Sequence, residues 1–285
     1  MTTATQNRAR IVDYYRRSRF DYWFVWMRGR NRSMHYGYWD ATTRNHSQSL
    51  ADMNRELAAF AGVRDGMRIL DAGCGIGGSA LWLAENFDVQ VVGITLSPQQ
   101  AATAQRLARR RQLAHRITFQ VADYCDTGFE PESFDLVWAQ ESLCYAQPKA
   151  AFLREAYRLL RPGGRIAIED GFRTARELST EGEELLLDWL DCWAIDDIDT
   201  VTEFADQAEA TGFIDFRHRD VSAHGMTSAH RLSRAYTVFG IPAWIAYRLR
   251  MRSHIAHRNF LGARLQWLAF ARRLWELGLV TAQKS

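Results

Sequence analysis

Two stretches of this chain carry residue types able to do chemistry. Arg68 to Gly78 reads RILDAGCGIGG: an apolar strand runs into Asp71, and glycines follow at Gly73, Gly75, Gly77 and Gly78. Glycine tolerates backbone angles that other residues resist, so the chain turns sharply there and a ligand can lie against bare main chain. Asp71 sits at the lip of that turn. Further on, FDLVWAQESLCYA over 134–146 places Gln140 and Glu141 at the carboxyl end of another apolar strand. A carboxylate buried there is costly unless it is paired or used. As a base it would take a proton from oxygen, nitrogen or carbon; as a structural group it would cap the next turn. His35 is a candidate second base or a satisfied structural histidine. Ten aromatics lie between Tyr14 and Trp39, including Tyr15, Phe20, Tyr22, Trp23, Phe24, Trp26, Tyr36 and Tyr38. Their faces attract cations, and the same rings would serve as the core of packed helices. Tyr14, Trp23 and Tyr145 are the candidate contacts to a small molecule.

Regular elements must hold these groups in place. Strands are predicted at 68–71, 89–94, 117–121, 134–139 and 165–169, with helices at 79–86, 98–111 and 150–160 between them. Ser97 and Pro98 supply an N-cap and a first helical residue, and RPGG at 161–164 stops a helix. Short apolar strands alternating with helices imply a parallel α/β sheet covered on both faces. A helix opening near Thr202 and ending at Gly212, a strand over 214–221 and a closing strand over 277–282 follow. The helical segment 227–276 between those strands is expected to break at Gly240-Ile241-Pro242 and to form a lid. The organisation expected is an N-terminal helical cap over 1–50, a ligand-binding core over 51–175, and completion of the core with lid insertions over 176–285.

With 285 residues, 47% hydrophobic and 24% charged, the chain suits one large globular α/β unit. No apolar run approaches the roughly 18–20 residues of a membrane span, so no integral membrane association is expected. The absence of a secretory signal in MTTATQNRARIVDYYRR and four scattered cysteines predict a reduced, cytoplasmic protein with no metal site. Charge is asymmetric: 177–215 holds thirteen acids and no Lys or Arg, whereas 224–285 holds ten Lys and Arg against Glu276 alone. Two solvated helical faces that meet each other or a neighbouring subunit explain this, which leaves a homo-oligomer open. A basic rim drawing an anionic substrate, head group or membrane surface explains it too. The cations alternate with Trp, Phe and Leu and form no dense block, which argues against nucleic acid.

The glycine array does not match a nicotinamide fingerprint, because the second strand ends in Gly93-Ile94-Thr95-Leu96-Ser97 with no acid for the ribose. Asp71 with its glycines instead resembles the cofactor loop of the class I S-adenosylmethionine (SAM)-dependent methyltransferases. VVGITLSPQQ resembles the small-molecule subgroup, and MHYGYW, FQVADYCD and LLRPGGRIAIED fall in order with its other motifs. The resemblance implies a Rossmann-like sheet of seven strands, mostly parallel with the last antiparallel, and SAM as cofactor. It assigns Asp71, Gly73, Cys74, Gly75 and Gly77 to the cofactor loop, Thr95, Leu96 and Gln100 to the ribose, and Asp123 and Tyr124 to the adenine. Tyr36, Tyr38 and Gln140 would approach the methionine end. AQESLCYAQPK resembles the sterol, tocopherol and prenyl-diphosphate C-methyltransferases, which makes Glu141 the expected base for methylating a lipophilic, isoprenoid-type acceptor, with an anionic end suggested by the basic C-terminal segment. O- or N-methylation of a fatty acid, phenol or amine is the enzyme alternative, and a non-catalytic SAM-binding subunit the alternative of another class.

Overall fold

Inside the sheet lies β1 (Arg68–Ala72), hydrogen-bonded in parallel to β2 (Gln90–Thr95) on one side and to the central strand β4 (Phe134–Gln140) on the other. The computed structural model describes residues 4–25 and 32–285. With β3 (Ile117–Val121), β5 (Leu160–Arg173), β6 (Phe213–Asp220) and β7 (Trp275–Lys284), the strand order is β3-β2-β1-β4-β5-β7-β6. β7 runs antiparallel to both its neighbours, β5 and β6, as expected for the last strand.

Alternation along the strands divides the core. Ile69 and Trp138 face a cluster with Leu50, Met53 and Leu57 of α2 (His46–Ala61) and Leu81 of α3 (Gly78–Asn86). Leu70, Val137 and Ala139 face the opposite cluster, with Phe152 and Leu153 of α5 (Lys149–Leu159) and Phe204 of α7 (Val201–Thr211). Each such buried side chain contributes about 1.5–3 kcal/mol. A one-residue slip would turn whole sets outward, so the register is pinned.

Local signals place the remaining elements. Ser97 accepts from the Gln100 N–H and Pro98 opens α4 (Pro98–Arg110), as predicted. RPGG does not delay the next strand: β5 already begins at Leu160, and a register shift opposite Phe134 and Leu136 absorbs the extra residues. The cap of α7 is Thr200, not Thr202, because only Thr200 has Glu203 three residues on to complete a reciprocal capping box. The expected break at Gly240-Ile241-Pro242 is absent, for α8 (Ser222–Arg248) runs through it. Pro242 lacks the N–H that would reach the Val238 carbonyl; Val238 is 65% exposed, so water can take that carbonyl. The chain turns instead at 249–253, where Ser253 caps α9 (His254–Ala271). Ahead of the core, α1 (Ala4–Val25) packs against α9, and α6 (Thr180–Cys192) packs beside it. No helix among the described residues is long and apolar enough to cross a membrane.

Candidate active site

The strand order reverses between β1 and β4, and doubly wound sheets bind ligands at the carboxyl ends of the strands there. Asp71 stands at the end of β1, and the chain then turns through Gly73 (φ +87°) and Gly75 (φ +54°). A Cβ on Gly73 would lie 2.4 Å from that of Ser142, and one on Gly75 would lie 2.7 Å from Met34 Cε. Bare backbone is therefore required. Above the turn opens a cleft of about 820 Å³, walled by Asp71, Cys74, Thr95, Gln100, Tyr124 and Gln140. Ile11, Val12 and Tyr15 of α1 and the segment 32–35 close its far side.

Glu141 ends β4 with φ +45°, a left-handed backbone that a non-glycine residue holds only under constraint. The constraint is visible. Its N–H donates to the Glu169 carbonyl at 2.7 Å, and its carboxylate accepts the Tyr36 N–H. Burial raises the Glu141 carboxyl well above the ordinary carboxylate range. Glu169, fully buried beside it, is raised by burial and by the Glu141 charge. Burial also lifts Asp170, to about 6, although the N–H groups of Gly171 (2.8 Å) and Cys144 (3.1 Å) bind its oxygens.

A second cavity, of about 910 Å³, opens beyond Glu141. Tyr22, Tyr36, Trp189, Trp193 and Phe260 give it an aromatic lining, and Leu190, Leu232 and Leu277 add apolar area. Its acids are Glu141, Asp170 and Asp21, and Asp21 is engaged by Arg252 at 2.5 Å. No Lys, Arg or His is among the described residues that line it, so an anionic end finds no cation inside. Two of the C-terminal arginines expected to rim a pocket turn toward α6 instead: Arg258 of α9 pairs with Asp191 and Arg272, just past the end of α9, with Glu181, each at 2.7 Å. The two cavities share Tyr15, Met34, Glu141 and Tyr145.

Several predicted site residues lie where expected. Asp71, Gly73, Cys74, Gly75, Thr95, Leu96, Gln100, Tyr124 and Gln140 all line the first cleft. Gly77 lies behind it, as the left-handed N-cap of α3. Asp123 does not line the cleft: its carboxylate accepts from the Cys125 N–H at 2.8 Å and pairs with Arg8 of α1 at 2.5 Å. Tyr36 walls the second cavity instead of the first, its hydroxyl donating to Gln266 at 2.8 Å. Tyr38 lines neither cavity, being stacked 3.8 Å from His224. Tyr14 is buried against Asn259, and Trp23 is 51% exposed, so neither reaches the cavity. Tyr145 does. His35 lines the first cleft, its Nδ1 2.8 Å from the Tyr36 carbonyl, and burial lowers it to about 4, which keeps it neutral. Trp26 and the Phe24 side chain lie outside the described residues. Tyr15 and Tyr22, two of the aromatics read from the sequence as a possible pocket wall, do line the second cavity; missed from the sequence were Met34, Asp170, Trp189 and Trp193. Of these only Asp170, at the end of a predicted strand, carried a local signal.

The first cleft fits SAM on its own terms. Asp71 is fully buried, one carboxylate oxygen has no protein partner, and burial lifts it to about 7. Gln140 Nε2 is likewise buried without an acceptor. A cationic amino-acid moiety beside bare backbone satisfies both the space and the unpaired carboxylate. Thr95 donates to Gln100 Oε1 at 2.8 Å, which leaves the Gln100 amide hydrogens for ribose hydroxyls.

Comparison with known proteins agrees with this geometry. Residues 70–168 match the family described as methyltransferase domain. The chloroplastic tocopherol O-methyltransferase of Arabidopsis thaliana is 42% identical over 168 residues, 55% of this chain and 47% of that protein. The chain spans about half the length of the curated relatives it matches. Among solved structures, the [4+2]-cyclase SpnF superposes with a TM-score of 0.77 at 23% identity, covering 96% of both chains. Geranyl diphosphate C-methyltransferase from Streptomyces coelicolor A3(2) gives 0.75 at 18% identity, covering 99% of both. Residues 70–168 thus match a methyltransferase domain, and the chain as a whole shares the fold of these solved structures.

Proposed function

We propose that the chain methylates an uncharged, lipophilic small molecule, isoprenoid-type and at carbon, with Glu141 taking up the proton the acceptor loses. The observation that carries this reading is the position of Glu141, whose side chain borders both the cofactor cleft and the aromatic cavity. SAM supplies the methyl group in activated, sulfonium-bound form. The protein aligns the acceptor, excludes water and receives a proton. Burial raises the Glu141 carboxyl well above the ordinary carboxylate range, and a positive charge in the adjoining cleft favours its ionised form. Methylating a double bond leaves a carbocation, for which the Tyr22, Trp189 and Trp193 rings offer electron-rich faces. Loss of the proton to Glu141 then restores the double bond. The second reading is transfer to oxygen, favoured by the relative named as a tocopherol O-methyltransferase; there Glu141 would take the hydroxyl proton.

The test is incubation of the purified chain with methyl-labelled SAM and matched isoprenoid, phenolic and amine acceptors, followed by mass spectrometry and NMR of the product. The expected product carries one added methyl on carbon. Label on oxygen supports the second reading. An isomerised product without added mass would place the chain with the cyclase named above instead.

A further inference from the structure

The C-terminal half of α8 is apolar on two opposite sides. One side packs on α9: Tyr236 meets Phe260 with ring centroids 5.4 Å apart, and Tyr247 stacks on His257 at 4.4 Å. Val238, Ile241, Ile245 and Leu249 follow at spacings of three or four residues, which sets them in one stripe opposite Tyr236 and Tyr247. They are 65%, 74%, 46% and 65% exposed. Trp244 stands on the flank of this stripe and Met251 lies in the turn beyond the helix; they are exposed as well, at 52% and 79%. A helix apolar all round is normally covered, and an outward patch of this kind marks a docking surface.

Charge indicates what covers it. From His224 to Leu274 the sequence holds no acid. Arg234, Arg248 and Arg250 are exposed and have no acidic partner among the described residues, and Arg248 lies over the Trp244 ring at 5.7 Å. The turn after α8 is fastened to α1 through Arg252 and Asp21, where Trp23 is also half exposed. Apolar side chains, a tryptophan and flanking arginines with long aliphatic stems suit the boundary between lipid head groups and acyl chains. Packing α8 against a second copy would instead gather the arginines of both at one apolar seam, with no acid from this segment to offset them.

We infer that the outer face of α8 from Val238 onward, together with the turn that follows it as far as Met251, docks the protein on an anionic lipid bilayer. The inner sides of the same elements wall the aromatic cavity, through Leu232 and Ala235 of α8, Asn259 and Phe260 of α9, and Tyr22 of α1. The docked lid therefore stands between membrane and cavity, where a lipophilic acceptor leaves the bilayer. That last step rests on the proposed function; the docking itself does not.

Sedimentation of the full chain with vesicles tests it, with no acceptor present so that the outcome is independent of turnover. The wild type is expected to bind phosphatidylcholine vesicles containing phosphatidylglycerol, and pure phosphatidylcholine vesicles much less. Ile241→Asp with Leu249→Asp should weaken binding at least about tenfold. Arg248→Glu with Arg250→Glu should remove the preference for the anionic vesicles. Circular dichroism and SAM calorimetry verify that both variants fold. Equal binding to the two vesicle types, or no binding by the wild type, overturns the inference. So does a dimer, seen by light scattering, that the Ile241 and Leu249 substitutions dissociate.

Discussion

The Tyr36 backbone N–H donates to the carboxylate of Glu141, joining the cap segment to the end of β4 where the two cavities meet. Glutamine preserves an oxygen acceptor for that N–H and removes the basicity. Glu141→Gln is expected to leave SAM affinity and thermal stability near wild type and to lower turnover roughly 100-fold, the scale of a lost positioned base. Single-turnover kinetics with calorimetry checks this. Near-wild-type turnover would leave Glu141 only the task of holding the cap.

Asp71 makes the ligand-free protein sensitive to pH. Burial lifts its carboxyl from an ordinary 3.8 to about 7, so between those values the folded state holds a proton that the unfolded state has lost. Its contribution is complete below about pH 4 and falls as pH rises through 7, a loss on the order of a few kcal/mol. Asp71→Asn should therefore lower thermal stability less than wild type between pH 5 and pH 8. The same substitution should weaken SAM binding at least about tenfold, by removing a charged partner. Melting curves at the two pH values and calorimetry read the two effects separately. Parallel pH dependence in both proteins would show that the carboxyl is ionised throughout.

Arg8 and Asp123 form a latch between α1 and the loop after β3, 2.5 Å apart. Ile11, Val12 and Tyr15, further along α1, wall the cofactor cleft. Arg8→Ala and Asp123→Ala are each expected to weaken SAM binding about two- to fivefold, the worth of a partly exposed ion pair, and the double variant to be no worse than either. Additive losses, or an effect of Asp123→Ala alone, would return Asp123 to the adenine contact that its position in the sequence suggested.

The cofactor half was legible in the sequence because it is local. Asp71 to Gly78 and Thr95 to Gln100 are each one strand, one turn and one helix start, whose spacing a single stretch of sequence records. Glu141 was readable for the same reason. The aromatic cavity was not, because it is assembled from α1, α6, α8, α9 and β7, whose lining residues Tyr15 and Leu277 stand 262 positions apart. Helical periodicity in α1 tells that Tyr14, Tyr15 and Tyr22 share an apolar side; it does not tell that Tyr15 and Tyr22 face a cavity while Tyr14 bonds Asn259. The pairing of Arg258 and Arg272 was not readable either, since their acidic partners on α6 are remote in sequence. At Gly240-Ile241-Pro242, local propensity favoured a break, and tertiary packing on α9 carried the helix through.

The charge of the acceptor is the sharpest open consequence of the aromatic cavity. Glu141 and Asp170 face it, Asp21 is held by Arg252, and no cationic side chain lines it among the described residues. A diphosphate or carboxylate drawn into that space would meet buried acids of its own sign. Like-charge contacts in a desolvated site cost several kcal/mol, and burial raises Glu141 and Asp170 enough to soften that cost only while both stay protonated. An isoprenoid alcohol is therefore expected to exceed its diphosphate in kcat/KM by at least about tenfold, with the ratio widening as pH rises through 6 and Asp170 ionises. Leu232→Lys, which sets a cation on the α8 wall, should narrow the ratio while leaving SAM affinity unchanged. Competition between the two acceptors, read by mass spectrometry at several pH values, decides the matter. Preferred turnover of the diphosphate would mean that its anionic end stays outside the cavity, at the arginines of the lid.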